Sequence, residues 1–331
     1  MNPFQYSRAQ SIDQAIQSIR AADGGNARFI AGGTNLLDLM KMNVEQPGQL
    51  IDINYLPLSE LHIDNTMLSI GALARMSDVA ANTEVARRFP VIAQSLLASA
   101  SPQLRNMASI GGNMMQRTRC SYFRDTACAC NKREPGSGCA ALGGDNRRHA
   151  ILGISPHCIA THPSDLAVAL MALSARIKLH GPNSDRTVPI DDFFLVPGST
   201  PNLEHNIQID ELIVAIEVPA SPLATRSFYL KVRERASFEF ALTSAAVALD
   251  IRNGVIAESR IVLGGIATKP WRARDAEVYL AGKPVQESHF VAAAHIALAQ
   301  AQPGKDNKFK VKLAQRTVVR ALTTLAAGEI A

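Results

Sequence analysis

The sequence predicts an α+β fold in two domains, one over residues 1–222 and a smaller one over residues 223–331. Strand and helix patterns are mixed along the chain, the segment Pro219–Thr225 reads as a linker, and strand patterns start over beyond it. With 331 residues, about half apolar and a fifth charged, the chain has an ordinary globular make-up and room for two or three domains.

Taken in order, SIDQAIQSIRAA predicts an opening helix, Gly24–Gly25 a turn, and Ala27–Ala31 a short strand that runs into the loop Gly32–Gly33–Thr34. Strands around LIDIN and MLSIGAL follow, then a helix in FPVIAQSLLASA with Pro90 at the position that opens helices. A second glycine pair stands in SIGGN. DLAVALMALSA predicts a buried helix capped by Ser164 or Asp165. ARIKLHG and ELIVAIEVP predict strands on either side of the irregular FFLVPGSTP. Beyond the linker, FYLKVRERAS and SAAVALDI predict strands, Asn253–Gly254 a hairpin turn, RIVLGGIA a strand, and the remainder two closing helices. No internal repeat or low-complexity segment interrupts this order.

Composition excludes several function classes. No run of eighteen apolar residues occurs, so no membrane insertion is expected; the start MNPFQYSRAQ has neither an apolar h-region nor a twin-arginine pair. A net charge of +5 could suit nucleic acid. The basic residues are spread out, however, apart from the cysteine segment and the last helix, and aromatics make up only 5%. No nucleic-acid partner is expected.

The five cysteines all fall between Cys120 and Cys158, whereas thiols used as small core residues would scatter. They should bind metal. Zinc sites commonly pair ligands two to four residues apart, and no C-x-x-C pair exists here. Cys120, Cys130, Cys139 and Cys158, separated by nine, eight and eighteen residues, suit a loop wrapped around a [4Fe-4S] cluster, with Cys128 as the spare thiol. Zinc remains the alternative. Disulfides fit poorly, because the count is odd and the chain is long enough to build a core without staples. PGSG at Pro135–Gly138 supplies a turn ahead of Cys139. Arg117, Arg119, Arg124, Lys132, Arg133, Arg147 and Arg148 surround the segment and would offset the charge of a thiolate-bound cluster, or else form a solvated basic face.

In FIAGGTNLLDLM, two residues without Cβ let the backbone approach a ligand, and Thr34 or Asn35 can cap a helix whose free N–H groups would attract phosphate. It is neither G-x-G-x-x-G nor a P-loop, and an ordinary strand-to-helix turn would use the same residues. ASIGGNMMQRTRC offers a second such loop in Ser109, Gly111, Gly112 and Asn113. Two backbone cradles imply a ligand with several polar groups. His162 could ligate metal, though a polar histidine at a helix entrance is the simpler reading.

The ordered set AGGTNLL, SIGGN, PSDLA, DELIVAIEVP, KVRERASFEFALTSAAVAL and VLGGIATKPWRA resembles the FAD-binding subunit of the xanthine dehydrogenase and aldehyde oxidoreductase (molybdenum hydroxylase) family, over nearly the whole chain. The resemblance implies a vanillyl-alcohol-oxidase-type (PCMH) FAD-binding domain followed by a small α+β C-terminal domain. Residues 117–162, with RTRC, CNKR, PGSGCAAL and CIATHPSD, resemble the inserted iron–sulfur loop of the FAD subunit of bacterial periplasmic aldehyde oxidoreductases, in which the matching ligands are Cys120, Cys130, Cys139 and Cys158. Carried over, the resemblance implies that Ile30, Ala31, Gly32, Gly33, Thr34, Asn35, Leu36 and Leu37 wrap the FAD pyrophosphate. Ser109, Ile110, Gly111, Gly112 and Asn113 would form a second clamp, Asp165 would bind the ribityl or ribose side, and Lys231 would lie near the isoalloxazine, with Thr118 touching the flavin. The family's second loop commonly continues into small residues and proline, where this chain has MQRTRC.

No molybdopterin or plant-type ferredoxin motif is present, so no catalytic acid or base is assigned and substrate oxidation belongs to another chain. The resemblance implies a heterotrimer with a molybdenum-cofactor subunit and a [2Fe-2S] subunit, delivering electrons through FAD to an external acceptor. It also implies a periplasmic complex exported with a signal-bearing partner, with a cytoplasmic one as the alternative. The competing readings are a self-contained FAD-dependent oxidase and a zinc-stabilised basic scaffold protein.

Overall fold

The computed structural model describes residues 1–22 and 25–328, in which the strands form three sheets. β1 (Gln5–Arg8), β2 (Ala27–Ile30) and β3 (Gln49–Asp52) make a parallel sheet in the order β1-β3-β2. β4 (Leu61–Ile63), β5 (Met67–Gly71), β6 (Arg176–His180), β7 (Asp185–Pro189) and β8 (Leu212–Pro219) make an antiparallel sheet in the order β4-β5-β8-β6-β7. β9 (Ser227–Val232), β10 (Thr243–Arg252), β11 (Val255–Gly264) and β12 (Trp271–Arg272) make a third, also antiparallel, in the order β12-β11-β10-β9. The class is α+β.

Each sheet buries a face against helices, and the third buries both. Helix Ile12–Ala21, capped by Ser11, turns Ala15, Ile16 and Ile19 onto the parallel sheet at helical spacing. Helices Pro90–Ala98 and Asp165–Ala172 share a core with the five-stranded sheet. All eight residues of Asp165–Ala172 are buried, because its far side meets the third sheet; a Cβ on Gly264 would lie 2.7 Å from Val168. That contact ties the last sheet to the first part of the chain. β10 and β11 turn at Asn253–Gly254, both at positive φ, as a two-residue hairpin requires.

Two expectations change. The linker Pro219–Thr225 contains a helical turn, Pro222–Thr225, capped by Ser221, with Leu223 and Ala224 buried; its apolar residues outweigh the reading of Pro and Ser as a spacer. The closing part has three helices, not two: Arg274–Leu280, Glu287–Ala297 and Phe309–Ala327. Of the Gly24–Gly25 turn, Gly24 lies outside the described residues. Among the described residues, no helix is long and apolar enough to cross a membrane.

Candidate cofactor sites

β2 delivers Ile30 to the edge of the parallel sheet, and the chain passes through Ala31–Asn35 into the helix Leu36–Lys41. Ile30 to Leu37 are all half-buried. Gly33 has φ +70, which favours glycine; at Gly32 a Cβ would stand 1.9 Å from the Met107 carbonyl oxygen. Gly32 thus serves contact between the two glycine segments, a reason the sequence does not show. Asn35 does not cap the helix with its side chain. Its Oδ1 accepts from the Arg117 amide at 2.9 Å, and its buried Nδ2 has no partner among the described residues. Among the described residues, no protein acceptor takes the backbone N–H of Gly32, Gly33, Thr34, Asn35 or Leu36. Consecutive unpaired amides of this kind form an anion-binding concavity.

The second glycine segment differs. Ser109 caps the short helix Ile110–Met114 through the Gly112 amide at 3.1 Å. The Ile110, Gly111 and Asn113 amides donate to Ala74, Ala72 and Ser109 carbonyls. Gly111 packs on Ala72, which a Cβ would approach to 3.0 Å. The segment is therefore not a cradle of bare amides, because its donors are spent inside the fold. Its side chains make bonds of their own. Asn113 accepts from the Ser164 hydroxyl at 2.5 Å, so this segment touches the entrance of helix Asp165–Ala172.

Ser164 caps that helix through the Ala167 amide at 3.0 Å. Asp165 is buried and accepts from the Lys231 ammonium at 2.8 Å, the Tyr229 hydroxyl at 2.6 Å and the Ser99 hydroxyl at 3.0 Å. Lys231 also donates to the Ala98 carbonyl at 3.0 Å. Burial and the neighbouring carboxylate push the Tyr229 phenol well up, so it stays a donor. Two residues expected separately at the ligand are thus joined as a buried ion pair, which leaves the carboxylate about one acceptor position to spare.

The cysteine loop docks on the first segment. Phe123 is fully buried against Leu39 and Cys130, Arg124 pairs with Asp38 at 2.8 Å, and Arg117 bonds Asn35. Gly136 and Gly138 have φ +90 and +101, and Asn131 Oδ1 accepts both their amides, so the PGSG turn folds Cys139 back opposite Cys130. Ser155 holds the backbone of Cys158 through its amide at 3.2 Å. Cys120, Cys130, Cys139 and Cys158 line one small cavity walled by Phe123, Ala141 and Ala160; Cys128 stands outside, its thiol directed to Asp125. Among the described residues, no three His, Cys, Asp or Glu side chains converge tightly enough for a single metal ion. Burial pushes the Cys120 thiol up to about 12 and raises Cys158, and a bound metal cation would favour the ionised form of both.

Most of the surrounding cations are paired. Arg117 bonds Glu45 and Glu204 at 2.5 Å each, Lys132 bonds Glu204 at 3.0 Å, and Arg147 and Arg148 share Glu234. Arg133 donates to the Tyr122, Phe123 and Cys128 carbonyls, and Arg119 stacks on Phe240. Most of them act as struts within the fold, while Arg147 and Arg148 remain exposed to solvent. Thr118 is buried, and its hydroxyl spans the loop by donating to the Thr161 carbonyl and accepting from the Cys120 amide. His162 packs edge-on to Phe194 and lines a neighbouring cavity that it shares with Cys158, not the one walled by all four cysteines, and burial lowers it to about 3. His149, which the sequence does not single out, places Nε2 3.1 Å from the Cys120 sulfur. No local pattern could reveal it, because the contact is made only in the fold.

The donor sets fit two groups: a phosphate-bearing ligand at Gly32–Leu36, with its orphaned Asn35 amide, and a multi-iron centre among four thiols spread around a cavity. The chain matches the family described as the FAD binding domain in molybdopterin dehydrogenase over residues 2–221 and the CO dehydrogenase flavoprotein C-terminal domain over residues 228–325. It is 45% identical to the aldehyde oxidoreductase FAD-binding subunit PaoB of Escherichia coli (strain K12), covering 97% of this chain and 98% of that one. It is 29% identical to the carbon monoxide dehydrogenase medium chain of Hydrogenophaga pseudoflava, covering 96% of each. A solved carbon monoxide dehydrogenase from that organism, lacking the Mo-pyranopterin moiety, superposes with a TM-score of 0.77 at 28% identity, covering 98% of both chains. With both domains matched and the relatives covered nearly end to end, this chain belongs to the FAD-binding oxidoreductase subunits of the xanthine dehydrogenase and aldehyde oxidoreductase family.

Proposed function

We propose that this chain is the electron-transfer subunit of a molybdenum-dependent aldehyde oxidoreductase, assembled with a molybdenum-cofactor subunit and a [2Fe-2S] subunit. It passes their electrons to an external acceptor. The observation that supports the reading is the cysteine insertion docked directly on the segment whose five amides meet no acceptor among the described residues, so that a cavity lined by four cysteine side chains lies beside a loop suited to phosphate. Similarity to the aldehyde oxidoreductase FAD-binding subunit supports the aldehyde class.

FAD supplies two-electron redox chemistry when bound, and an iron–sulfur cluster supplies one-electron steps. The chain's own residues bind and orient. The Gly32–Leu36 amides would hold pyrophosphate, with Ile30, Ala31 and Leu37 shaping that loop. Ser109, Asn113 and the Asp165–Lys231 pair would set the polar side of the flavin site, and Thr118 would brace the strip between flavin and cluster. Cys120, Cys130, Cys139 and Cys158 would ligate a [4Fe-4S] cluster.

Iron, zinc and flavin analysis of the purified complex tests this. About four irons per chain above the partner subunit's content, with the broad visible absorption of thiolate-bound iron, are expected. Cys139→Ala should lose that iron and Cys128→Ser should keep it. Stoichiometric zinc without flavin would select the scaffold reading, and aldehyde turnover by the isolated chain would select a self-contained oxidase.

A further inference from the structure

Cys120 differs from the other three cysteines in having an imidazole against its sulfur. His149 Nε2 lies 3.1 Å from Cys120 Sγ, while its buried Nδ1 has no partner among the described residues. A proton on Nδ1 would be a buried donor with nothing to meet, whereas a lone pair there costs less. The proton therefore belongs on Nε2, aimed at sulfur.

The backbone that carries His149 is fixed from the C-terminal domain. Its carbonyl accepts from the Lys310 ammonium at 3.0 Å and the Asn307 amide at 3.3 Å. Lys310 is fully buried and has the Gly265 carbonyl, at 2.9 Å, as its other acceptor. Asn307 also bonds the Asn146 carbonyl at 3.1 Å, and Asn146 and Asp306 exchange bonds at 3.1 and 3.3 Å. A buried ammonium spent on two carbonyls is a costly device for surface-loop attachment alone.

We propose that His149 donates a hydrogen bond from Nε2–H to the Cys120 thiolate and thereby raises the reduction potential of the cluster, with Lys310 and Asn307 as positioning residues that hold the ring at the sulfur. A donor to a ligating sulfur draws off negative charge, so it favours the reduced, more negative cluster. No bond is made or broken. This inference rests on the cluster reading above.

The test is an EPR-monitored redox titration of the purified complex. His149→Phe should shift the cluster's one-electron equilibrium roughly tenfold toward oxidised, ~59 mV lower, with the flavin couple unmoved. His149→Gln, which keeps a donor, should recover part of the shift, and Lys310→Met should move the couple the same way by less. A fully iron-loaded His149→Phe complex that titrates like wild type overturns the hydrogen bond and leaves the cluster intact. Wild-type complex without the extra iron removes the cluster reading instead, and this inference with it. If His149→Phe cannot hold iron, pulsed EPR of the reduced wild-type complex decides: weak histidine nitrogen coupling supports the donor role, and coupling of directly bound strength, or none, overturns it.

Discussion

Asp165 and Glu204 each do electrostatic work that local sequence hides. Asp165 neutralises Lys231 in a site that excludes solvent. Asp165→Asn leaves that ammonium buried and unpaired, and should cost about 3–5 kcal/mol in the urea unfolding of the subunit. An unchanged midpoint would show that the ammonium finds another route to water. At Glu204, burial alone would raise the carboxyl, yet Arg117 and Lys132 outweigh it and hold the group at about 2. The unfolded carboxyl titrates near ~4.3, so the folded state binds fewer protons in between. The stabilisation is complete above the unfolded value and is lost as pH falls toward about 2. Thermal unfolding of wild type and Glu204→Gln should accordingly differ most at neutral pH and converge in acid; a constant gap would mean that the carboxylate carries no linkage.

At the scale of elements, the two glycine segments resemble each other in sequence and diverge in structure. One keeps five amides without an acceptor among the described residues, while the other spends its amides on Ala72, Ala74 and its own Ser109. Gly32→Ala would drive a methyl into the Met107 carbonyl, and backbone cannot yield as a side chain does. FAD content should fall severalfold in that variant, with at least ~1 kcal/mol of stability lost. Gly112→Ala, whose added methyl would meet only the Ser109 hydroxyl, should lose less; equal retention of flavin in both would detach Gly32 from the site. The elements legible in the sequence were those with their own periodicity or punctuation: β10, β11 and their Asn–Gly turn, and the wholly apolar helix Asp165–Ala172. β4 and β12 have three and two residues and exist because a neighbour pairs with them, so no local pattern marks them. That cysteines gather around one cavity was legible from their clustering, and the PGSG turn from its glycines. Spacing could not reveal His149, nor that the arginines around the loop are mostly struts, because both depend on residues brought from elsewhere.

Across the whole molecule, the cysteine loop is held from two sides. The flavin-domain side supplies Leu39, Asp38 and Asn35; the C-terminal domain supplies residues 304–310, which grip Asn146 and His149. The smaller domain therefore acts as a backstop that fixes the inserted loop against the rest of the chain, a role its sheet and helices do not suggest on their own. Asn307 is central to it, since its amide serves two loop carbonyls and its Oδ1 accepts the Gly304 amide at 2.7 Å. Asn307→Ala removes all three bonds and should release the loop locally by about 1–3 kcal/mol, with little change in the core. Arg147 and Arg148 lie exposed within the gripped stretch, so trypsin reports on its opening. Where opening is fast relative to cleavage, a loss of about 1.4 kcal/mol raises the cutting rate tenfold. Cleavage at Arg147 or Arg148 should quicken by that order in the variant while sites in the flavin domain keep their wild-type rates. Unchanged cutting at both arginines would strip Asn307 of its central place in that restraint and leave the grip to Lys310 and the Glu234 pairs.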